Sequence, residues 1–240
     1  MTADALLEVS ALGKRFGGFV ALESIELSVA EKERVGLIGP NGSGKSTLVN
    51  CMCGTLRHEM GSVRFAGQML NGLSAHERTR LGLARSFQLP RPFNTLSLAD
   101  NLRVPLLYSG RHGAQPIDAR CMELLHMVGL VDKSDRLPRD LTQIEMRKLE
   151  LARAMAADPR LLIADEAMAG LSHAEVDDIL SLLIRLNEQG VTVILIEHIM
   201  RAVMHFSQRL IVLVAGRKIA DGDPAAVVRD PDVVRAYLGE

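Results

Sequence analysis

The stretch Gly39-Pro-Asn-Gly-Ser-Gly-Lys-Ser46 decides the fold, because it matches the phosphate-loop pattern G-x-x-x-x-G-K-[ST]. It follows the apolar run Arg34–Ile38, which predicts a buried strand, and it leads into a segment that predicts a helix. Gly42 and Gly44 allow the backbone to turn so that successive N–H groups face a single anion. The sequence therefore predicts a strand, a loop and a helix that together bind the phosphates of a nucleotide.

The residues of this loop have expected contacts with ATP. Lys45 supplies a mobile positive charge for the β- and γ-phosphates, and the Ser46 hydroxyl is an expected ligand of Mg²⁺. The helix that begins here adds the positive end of its dipole. We therefore expect ATP and Mg²⁺ as cofactors. The residues expected to bind the nucleotide are Gly39, Pro40, Asn41, Gly42, Ser43, Gly44, Lys45, Ser46 and Thr47.

Two further predicted strands end in polar residues that suit ATP hydrolysis. Asp165 and Glu166 follow the run Leu161–Ala164, and His198 comes shortly after the run Val191–Ile196. Ligands of α/β sheets bind at the carboxyl ends of the strands. We expect Asp165 to bind Mg²⁺, Glu166 to act as general base for the attacking water, and His198 to contact the γ-phosphate or that water. Taken alone, each strand end also fits an ordinary structural role, and the phosphate loop favours the functional one.

The rest of the chain predicts an α/β fold. With 240 residues, 48% of them hydrophobic, it can form a sizeable core. Short β-branched runs alternate with longer amphipathic segments. Strands are predicted at Leu6–Leu12, Ile25–Ala30, Arg34–Ile38, Ser62–Phe65, Leu161–Ala164, Val191–Ile196, Leu210–Ala215 and Lys218–Ala220. Helices are predicted at Leu98–Tyr108, Ile117–Val128, Leu141–Ala157 and Ala174–Glu188, and after Pro224 and Pro231.

The middle of the chain differs in character from its two flanks. Helical spacing dominates there, and the loops between the helical segments are rich in proline. We expect one domain, 1–240, in which an approximate helical subdomain at 89–157 is inserted into a core. Residues 1–88 and 158–240 would form that core together with an antiparallel β part.

Composition limits the classes of partner and compartment. The formal net charge of −1 gives no field that would recruit nucleic acid, so we expect no nucleic-acid partner. Three cysteines make no disulfide framework and fit a reducing compartment. The N-terminus lacks a signal-peptide pattern, and no apolar run approaches the ~20 residues of a membrane helix. We expect a cytoplasmic protein that does not cross the bilayer itself.

Together these motifs resemble the nucleotide-binding subunit of an ABC transporter along the whole chain. The resemblance implies a P-loop ATPase with a mixed-sheet core, a small antiparallel β subdomain and an inserted helical subdomain. It implies that Phe16 stacks on adenine, and that Gln88 senses Mg²⁺ as a metal-site residue and faces the membrane partner. Asp165, Glu166 and His198 match the metal-binding, catalytic and switch positions.

Within this superfamily the chain is most similar to importers of branched-chain amino acids and related amides. The similarity lies in Arg15-Phe-Gly-Gly18, Ala84-Arg-Ser-Phe-Gln88, Met168-Ala-Gly-Leu171, Glu197-His-Ile-Met-Arg-Ala-Val203 and Ala236-Tyr-Leu-Gly-Glu240. The ATPase of lipopolysaccharide export has a similar tail, and export remains an alternative. A non-transport ABC ATPase of DNA repair or translation is a second alternative.

Two segments depart from the family pattern. Leu141-Thr-Gln-Ile-Glu145 stands where the family has Leu-Ser-Gly-Gly-Gln, the signature that closes over the other subunit's ATP. Gln143 and Ile144 replace glycines, and Glu145 brings a carboxylate towards an anionic site unless it points away. In the loop after Glu166, alanine at 167 replaces the usual proline, and Ser172 replaces a common aspartate.

These departures fall in segments that, in the family, act on the nucleotide held by the partner subunit. Phe16, the phosphate loop, Gln88, Asp165, Glu166 and His198 act on the chain's own nucleotide and are intact. We therefore hypothesise a heterodimer with a second ATPase that has a regular signature. The alternative is a subfamily that tolerates a varied signature. The other implied partners are permease subunits, which place the chain on the inner face of the membrane, and indirectly a solute-binding protein.

Overall fold

Two β-sheets and the helices packed on them make up the described parts of the chain, residues 5–87, 89–109 and 115–238, in this computed structural model. The strands are β1 (Ala5–Phe16), β2 (Phe19–Ala30), β3 (Arg34–Ile38), β4 (Met60–Phe65), β5 (Gln68–Met69), β6 (Leu83–Ser86), β7 (Leu161–Asp165), β8 (Thr192–Ile196), β9 (Arg209–Val214) and β10 (Arg217–Gly222).

The first sheet is antiparallel, with the strand order β2-β1-β4-β5. Its long hairpin turns at Gly17-Gly18, so that Phe16 pairs directly with Phe19 across the two strands. Buried residues alternate with less buried ones from Ile25 to Ala30 of β2, whereas register shifts between the two strands interrupt the alternation in β1. The buried side chains of both strands pack against the helix that follows the phosphate loop. This sheet therefore brings its hairpin tip close to the loop.

The second sheet has the order β10-β9-β3-β8-β7-β6 and is parallel except for β10. Strands β7 and β8 are buried along their whole length, because apolar residues on both faces are covered by other elements. Since β3, β7 and β8 run in the same direction, their carboxyl ends meet at one edge. The phosphate loop, Glu166 and His198 follow these ends.

The helices are α1 (Lys45–Cys53), α2 (Ala75–Arg80), α3 (Leu98–Ser109), α4 (Ile117–Met127), α5 (Gln143–Met155), α6 (His173–Glu188), α7 (Met200–Phe206), α8 (Pro224–Val227) and α9 (Pro231–Leu238). Short 3₁₀ turns lie at Val131–Lys133 and Pro138–Asp140. Within the described ranges, no helix combines the length and apolar character needed to span a bilayer.

The two faces of the parallel sheet are covered differently. Helices α3 to α6 form one core with buried leucines such as Leu102, Leu124 and Leu183. On the other face, α1 and the antiparallel sheet form a second core that includes Cys51 and Cys53. Burial raises the pKa of Cys51 to about 11. These cysteines thus serve as small apolar residues of the core.

The predicted α/β fold with a mixed sheet and an antiparallel β part is confirmed. Strand β3 has the predicted bounds, and the predicted helices appear with ends shifted by at most two residues. Four elements were missed: β5, β6, α2 and α7. They span only two to seven residues, too few for a periodic pattern to emerge. The helical subdomain at 89–157, which contains α3 to α5, stays a prediction.

Candidate functional site

The phosphate loop is fixed by close backbone contacts that require glycine. Gly39 has φ +153°, and an added Cβ would lie 2.1 Å from the carbonyl oxygen of Leu213 on β9. Gly44 has φ +104°, and its Cβ would lie 2.8 Å from the carbonyl oxygen of Ala21 on β2. A side chain at either position would push the loop off the two sheets. The loop is therefore built against strands that come from distant parts of the sequence.

Lys45 begins α1 and folds back over its own loop. Its Nζ donates to the carbonyl oxygens of Gly39, at 2.6 Å, and Pro40, at 3.1 Å. Burial lowers the pKa of Lys45, and the nearby carboxylates of Glu166 and Asp165 oppose that shift. The ammonium group is thus held between the loop and the acidic strand end, where a phosphate group would meet both.

One cavity of about 270 Å³ brings together most of the predicted site residues. It is lined by Phe16, Phe19, Ala21, Asn41, Gly42, Ser43, Gly44, Lys45, Ser46, Thr47, Glu166 and His198. Gly39 and Pro40 do not line the cavity, but their carbonyl oxygens accept from Lys45 Nζ. Asp165 is buried at the end of β7. Gln88, predicted to contact both metal and partner, lies outside the described residues.

Glu166 and His198 are in direct contact across the ends of β7 and β8. His198 Nε2 lies 2.9 Å from Glu166 Oε1. The N–H of Glu166 donates to the carbonyl oxygen of Ile196 at 2.9 Å, and Glu166 has φ +48°, which is uncommon outside glycine. The carboxylate and the imidazole are therefore set side by side at the cavity wall, as a base and its orienting partner would be.

Asp165 forms a buried ion pair that the sequence did not reveal. Arg85 Nη2, at the end of β6, donates to Asp165 Oδ2 at 2.6 Å, and Nη1 donates to Asn50 Oδ1 at 2.7 Å. Asp165 also lies close enough to Lys45, which precedes Ser46 at the start of α1, for its carboxylate to favour the charged lysine. In the sequence, Arg85 was marked only by its place in the segment Ala84-Arg-Ser-Phe-Gln88, which resembles the importer group.

The donor set fits a magnesium ion that arrives with a nucleotide. Among the described residues, no group of three or more His, Cys, Asp or Glu side chains could hold a metal by itself. Mg²⁺ typically takes one or two hard oxygen ligands from the protein and completes its shell with phosphate oxygens and water. A hydroxyl from Ser46 and a carboxylate from Asp165 match that requirement, and the phosphate loop lies beside them.

A second aromatic side chain at the cavity was missed. Phe16 and Phe19 are both exposed, and they face each other across the β1–β2 hairpin. The ammonium of Lys14 lies 5.1 Å from the centre of the Phe16 ring. Two exposed rings at one cavity offer apolar surface for a purine base. The hairpin register, which only the structure gives, is what places Phe19 there.

The altered signature is held by side chains of its own chain. The Thr142 N–H donates to a Glu145 carboxylate oxygen at 3.0 Å, a reciprocal cap on the start of α5. Lys133 donates to the other Glu145 oxygen at 2.7 Å. Glu145 therefore points towards a cation of its own subunit, and its negative charge is partly neutralised there.

The loop that follows Glu166 is bound from two sides. Gln143 Nε2 and Arg147 Nη2, on α5, both donate to the carbonyl oxygen of Ala169, at 3.3 and 3.2 Å. From the other side, Glu197 accepts the N–H of Met168 at 2.8 Å, and burial raises the pKa of Glu197. Sequence reasoning assigned no role to Arg147 or Glu197, because the contacts join residues far apart in the chain.

Known proteins resemble this chain along its whole length. A family model described as "ABC transporter" matches residues 22–169, and one described as "Branched-chain amino acid ATP-binding cassette transporter" matches residues 217–240. The chain is 38% identical to the high-affinity branched-chain amino acid transport ATP-binding protein BraF of Pseudomonas aeruginosa, over 98% of both chains. It is 36% identical to LivG of Escherichia coli, which carries the same description, over 99% of both chains.

Solved structures show the same fold. A nucleotide-free ATP-binding cassette from an ABC transporter superposes with a TM-score of 0.89 at 29% identity, covering 99% of this chain and 100% of that one. An ATP-binding cassette in its ADP conformation gives a TM-score of 0.89 at 30% identity, with the same coverage of both chains. The likeness therefore extends over both sheets and the helices between them.

Proposed function

The chain belongs to the ABC transporter family, whose ATP-binding subunits hydrolyse ATP, and on this premise we propose that it powers the import of branched-chain amino acids or related amides. The observation that carries the proposal is the single cavity in which the phosphate loop, Glu166 and His198 meet. The match of residues 217–240 to a branched-chain amino acid transporter model supports the class of solute.

The residues of the cavity divide the work of hydrolysis. Lys45 and the loop N–H groups bind the phosphates, and Phe16 with Phe19 contacts the base. Ser46 and Asp165 would hold Mg²⁺, which supplies charge neutralisation at the phosphates. Glu166 takes the proton of the attacking water. His198, at 2.9 Å, holds that carboxylate in position.

The membrane partner would contact the surface formed by Phe87, Leu89 and Phe93, which we name the outer aromatic surface. All three side chains are exposed. Phe87 also lines a cavity of about 200 Å³ together with residues of α1, α2, α3, α5 and β6, among them Pro105 and Glu150. Exposed large apolar side chains next to a concavity favour a protein contact. Residues 88–94, stiffened by prolines, would pass the motion of hydrolysis to a permease at the inner face of the membrane.

The second ATPase of the complex would be a different subunit. Gln143 and Ile144 carry side chains where a regular signature has glycines, and Gln143 already bonds Ala169 within its own chain. The segment 141–145 is thus poorly suited to close over a partner's phosphates. In a heterodimer, a regular signature from the partner would complete the site on this chain's Lys45. A solute-binding protein would deliver the solute to the permease.

The proposal is tested by uptake in vesicles that contain the chain with its permease and its second ATPase. ATP-dependent accumulation of labelled leucine, lost with Glu166→Gln, is the expected result. Phe93→Asp should abolish uptake while ATP binding by the chain stays unchanged, because it places a charge in the contact surface. ATP hydrolysis without accumulation of any branched-chain amino acid or amide would reject the import function and favour export or a non-transport role.

A further inference from the structure

Arg85 touches three parts of the molecule at once. Its guanidinium donates to Asp165 Oδ2 at 2.6 Å and to Asn50 Oδ1 at 2.7 Å, and its central carbon lies 5.2 Å from the centre of the Phe87 ring. The ion pair is secluded from solvent, since the side chains of Arg85 and Asp165 are 13% and 8% exposed. The two hydrogen bonds come from different nitrogens of the guanidinium group, Nη2 and Nη1, so they do not compete with each other or with the ring contact.

The inner contacts fix the geometry of the metal-binding residues. Asn50 lies on α1, the helix that carries Ser46 in its first turn, and Asp165 ends β7. Because Arg85 hydrogen-bonds both residues, it links α1, which carries the Ser46 hydroxyl, to β7, which carries the Asp165 carboxylate. Its Nη2 donates to Oδ2 of Asp165 and so holds this carboxylate in place at the end of β7. Residues that orient a metal ligand in this way affect metal affinity strongly.

The outer contact reaches the surface proposed to meet a permease. Phe87 is 40% exposed and lines the cavity of about 200 Å³ together with Arg85. We propose that Arg85 is a positioning residue for Asp165, and that the Phe87 ring holds Arg85 so that contact at the outer aromatic surface alters metal binding. This inference rests on the proposed assignment of Asp165 to Mg²⁺.

The chain offers a matched control for the outer contact. Arg153 lies over the Phe93 ring at the same 5.2 Å, and Phe93 is 41% exposed on the same surface. Arg153, however, bonds Glu150 and the carbonyl oxygen of Arg91. The same substitution at Phe87 and at Phe93 therefore removes the same kind of ring contact. Only the Phe87 ring contacts an arginine that bonds Asp165.

The experiment measures Mn²⁺ binding to the isolated full chain with ATP by electron paramagnetic resonance. Arg85→Lys keeps a charge but not the planar fork, and should weaken Mn²⁺ affinity about tenfold or more. Phe87→Leu should weaken it about two- to fivefold, the size of an exposed cation–π contact. Two control variants should leave Mn²⁺ affinity at the wild-type value. They are Phe93→Leu and Arg103→Lys, the second of which changes an ion pair made by α3. ATP binding in EDTA serves as the check that each variant folds.

The outcomes separate this inference from the assignment on which it rests. Asp165→Asn should abolish the Mn²⁺ site, and if it does not, the metal assignment itself fails. If Asp165→Asn abolishes binding while Arg85→Lys binds Mn²⁺ as tightly as wild type or tighter, the positioning role is overturned. Equal effects of Phe87→Leu and Phe93→Leu overturn the link to the outer surface. If Arg85→Lys does not fold, the pair of phenylalanine variants decides.

Discussion

The phosphate loop and the segment Leu141–Glu145 each lie at the start of a helix, and both are expected to face phosphates. Their conformations, however, are stabilised in opposite ways. The loop depends on backbone geometry, with glycines at positive φ packed against neighbouring strands. The segment at 141–145 depends on side chains, with a reciprocal Thr142–Glu145 cap and a Lys133 ion pair. The comparison supports the proposal that this chain keeps its own nucleotide site, because the side chains of the segment at 141–145 are bonded within their own subunit.

The largest expected effect tests the nucleotide site that the phosphate loop forms with Glu166. Glu166→Gln removes the proposed general base and should lower ATP hydrolysis about 10²- to 10⁴-fold, while ATP still binds. Steady-state hydrolysis by the assembled transporter, with filter binding of ATP, measures both quantities. Glu188→Gln, an exposed glutamate at the end of α6, is the matched control. Loss of ATP binding with Glu166→Gln would contradict a purely catalytic role.

The next effect concerns the backbone that builds the loop. Gly39→Ala adds a Cβ 2.1 Å from the Leu213 carbonyl oxygen and should lower the free energy of unfolding by about 3 kcal/mol. Urea denaturation measures it. Gly222→Ala, whose Cβ would meet Val227 at an ordinary 3.8 Å, should cost much less. Equal costs for the two variants would show that the close contact is not what fixes the loop.

A smaller effect probes the side-chain construction of the signature segment. Thr142→Ala removes the cap of α5 and should lower the free energy of unfolding by about 1 kcal/mol. Thr142→Ser keeps the hydroxyl and should restore most of that loss. Thermal unfolding of both variants is the measurement. If alanine and serine behave alike, the cap adds nothing, and the contrast with the phosphate loop weakens.

The smallest effect concerns Glu197, which lies between the two regions. Because burial raises its pKa, the folded state binds the Glu197 proton more tightly than the unfolded chain does. Its stabilising contribution is therefore complete below the ordinary pKa of 4.5 and is lost as pH rises through the raised value. Glu197→Gln keeps an acceptor for Met168 and should raise Tm at pH 8, with a gain that shrinks towards pH 4.5. A gain that does not change with pH would contradict this.

The phosphate loop and the acidic strand end could be predicted because each depends on local sequence. Gly42 and Gly44 predicted a backbone turn that favours glycine, and both have positive φ, while Asp165 follows an apolar run that predicted a buried strand. Arg85 could not be predicted, because its partner lies 80 residues away and the strand that carries it has four residues. Gln88 was predicted from resemblance alone, and it lies outside the described residues.

The direction of a side chain was the hardest feature to infer. Glu145 was expected to disturb an anionic site unless it pointed away, and its two carboxylate oxygens accept from Lys133, at 2.7 Å, and from the Thr142 N–H of its own chain. Phe19 joins Phe16 at the cavity because the hairpin register pairs them. Both facts follow from the positions of residues that sequence spacing alone does not bring together.

The most direct test of the account is ATP hydrolysis by the purified chain alone and again with its second ATPase subunit and permease, with Glu166→Gln as the control. The account predicts little hydrolysis by the chain alone, and a rate in the complex that falls sharply with Glu166→Gln. A chain that hydrolyses ATP by itself as fast as in the complex, and loses this activity with Glu166→Gln, would contradict the account. Leu141–Glu145 would then be a working signature in a dimer of identical subunits.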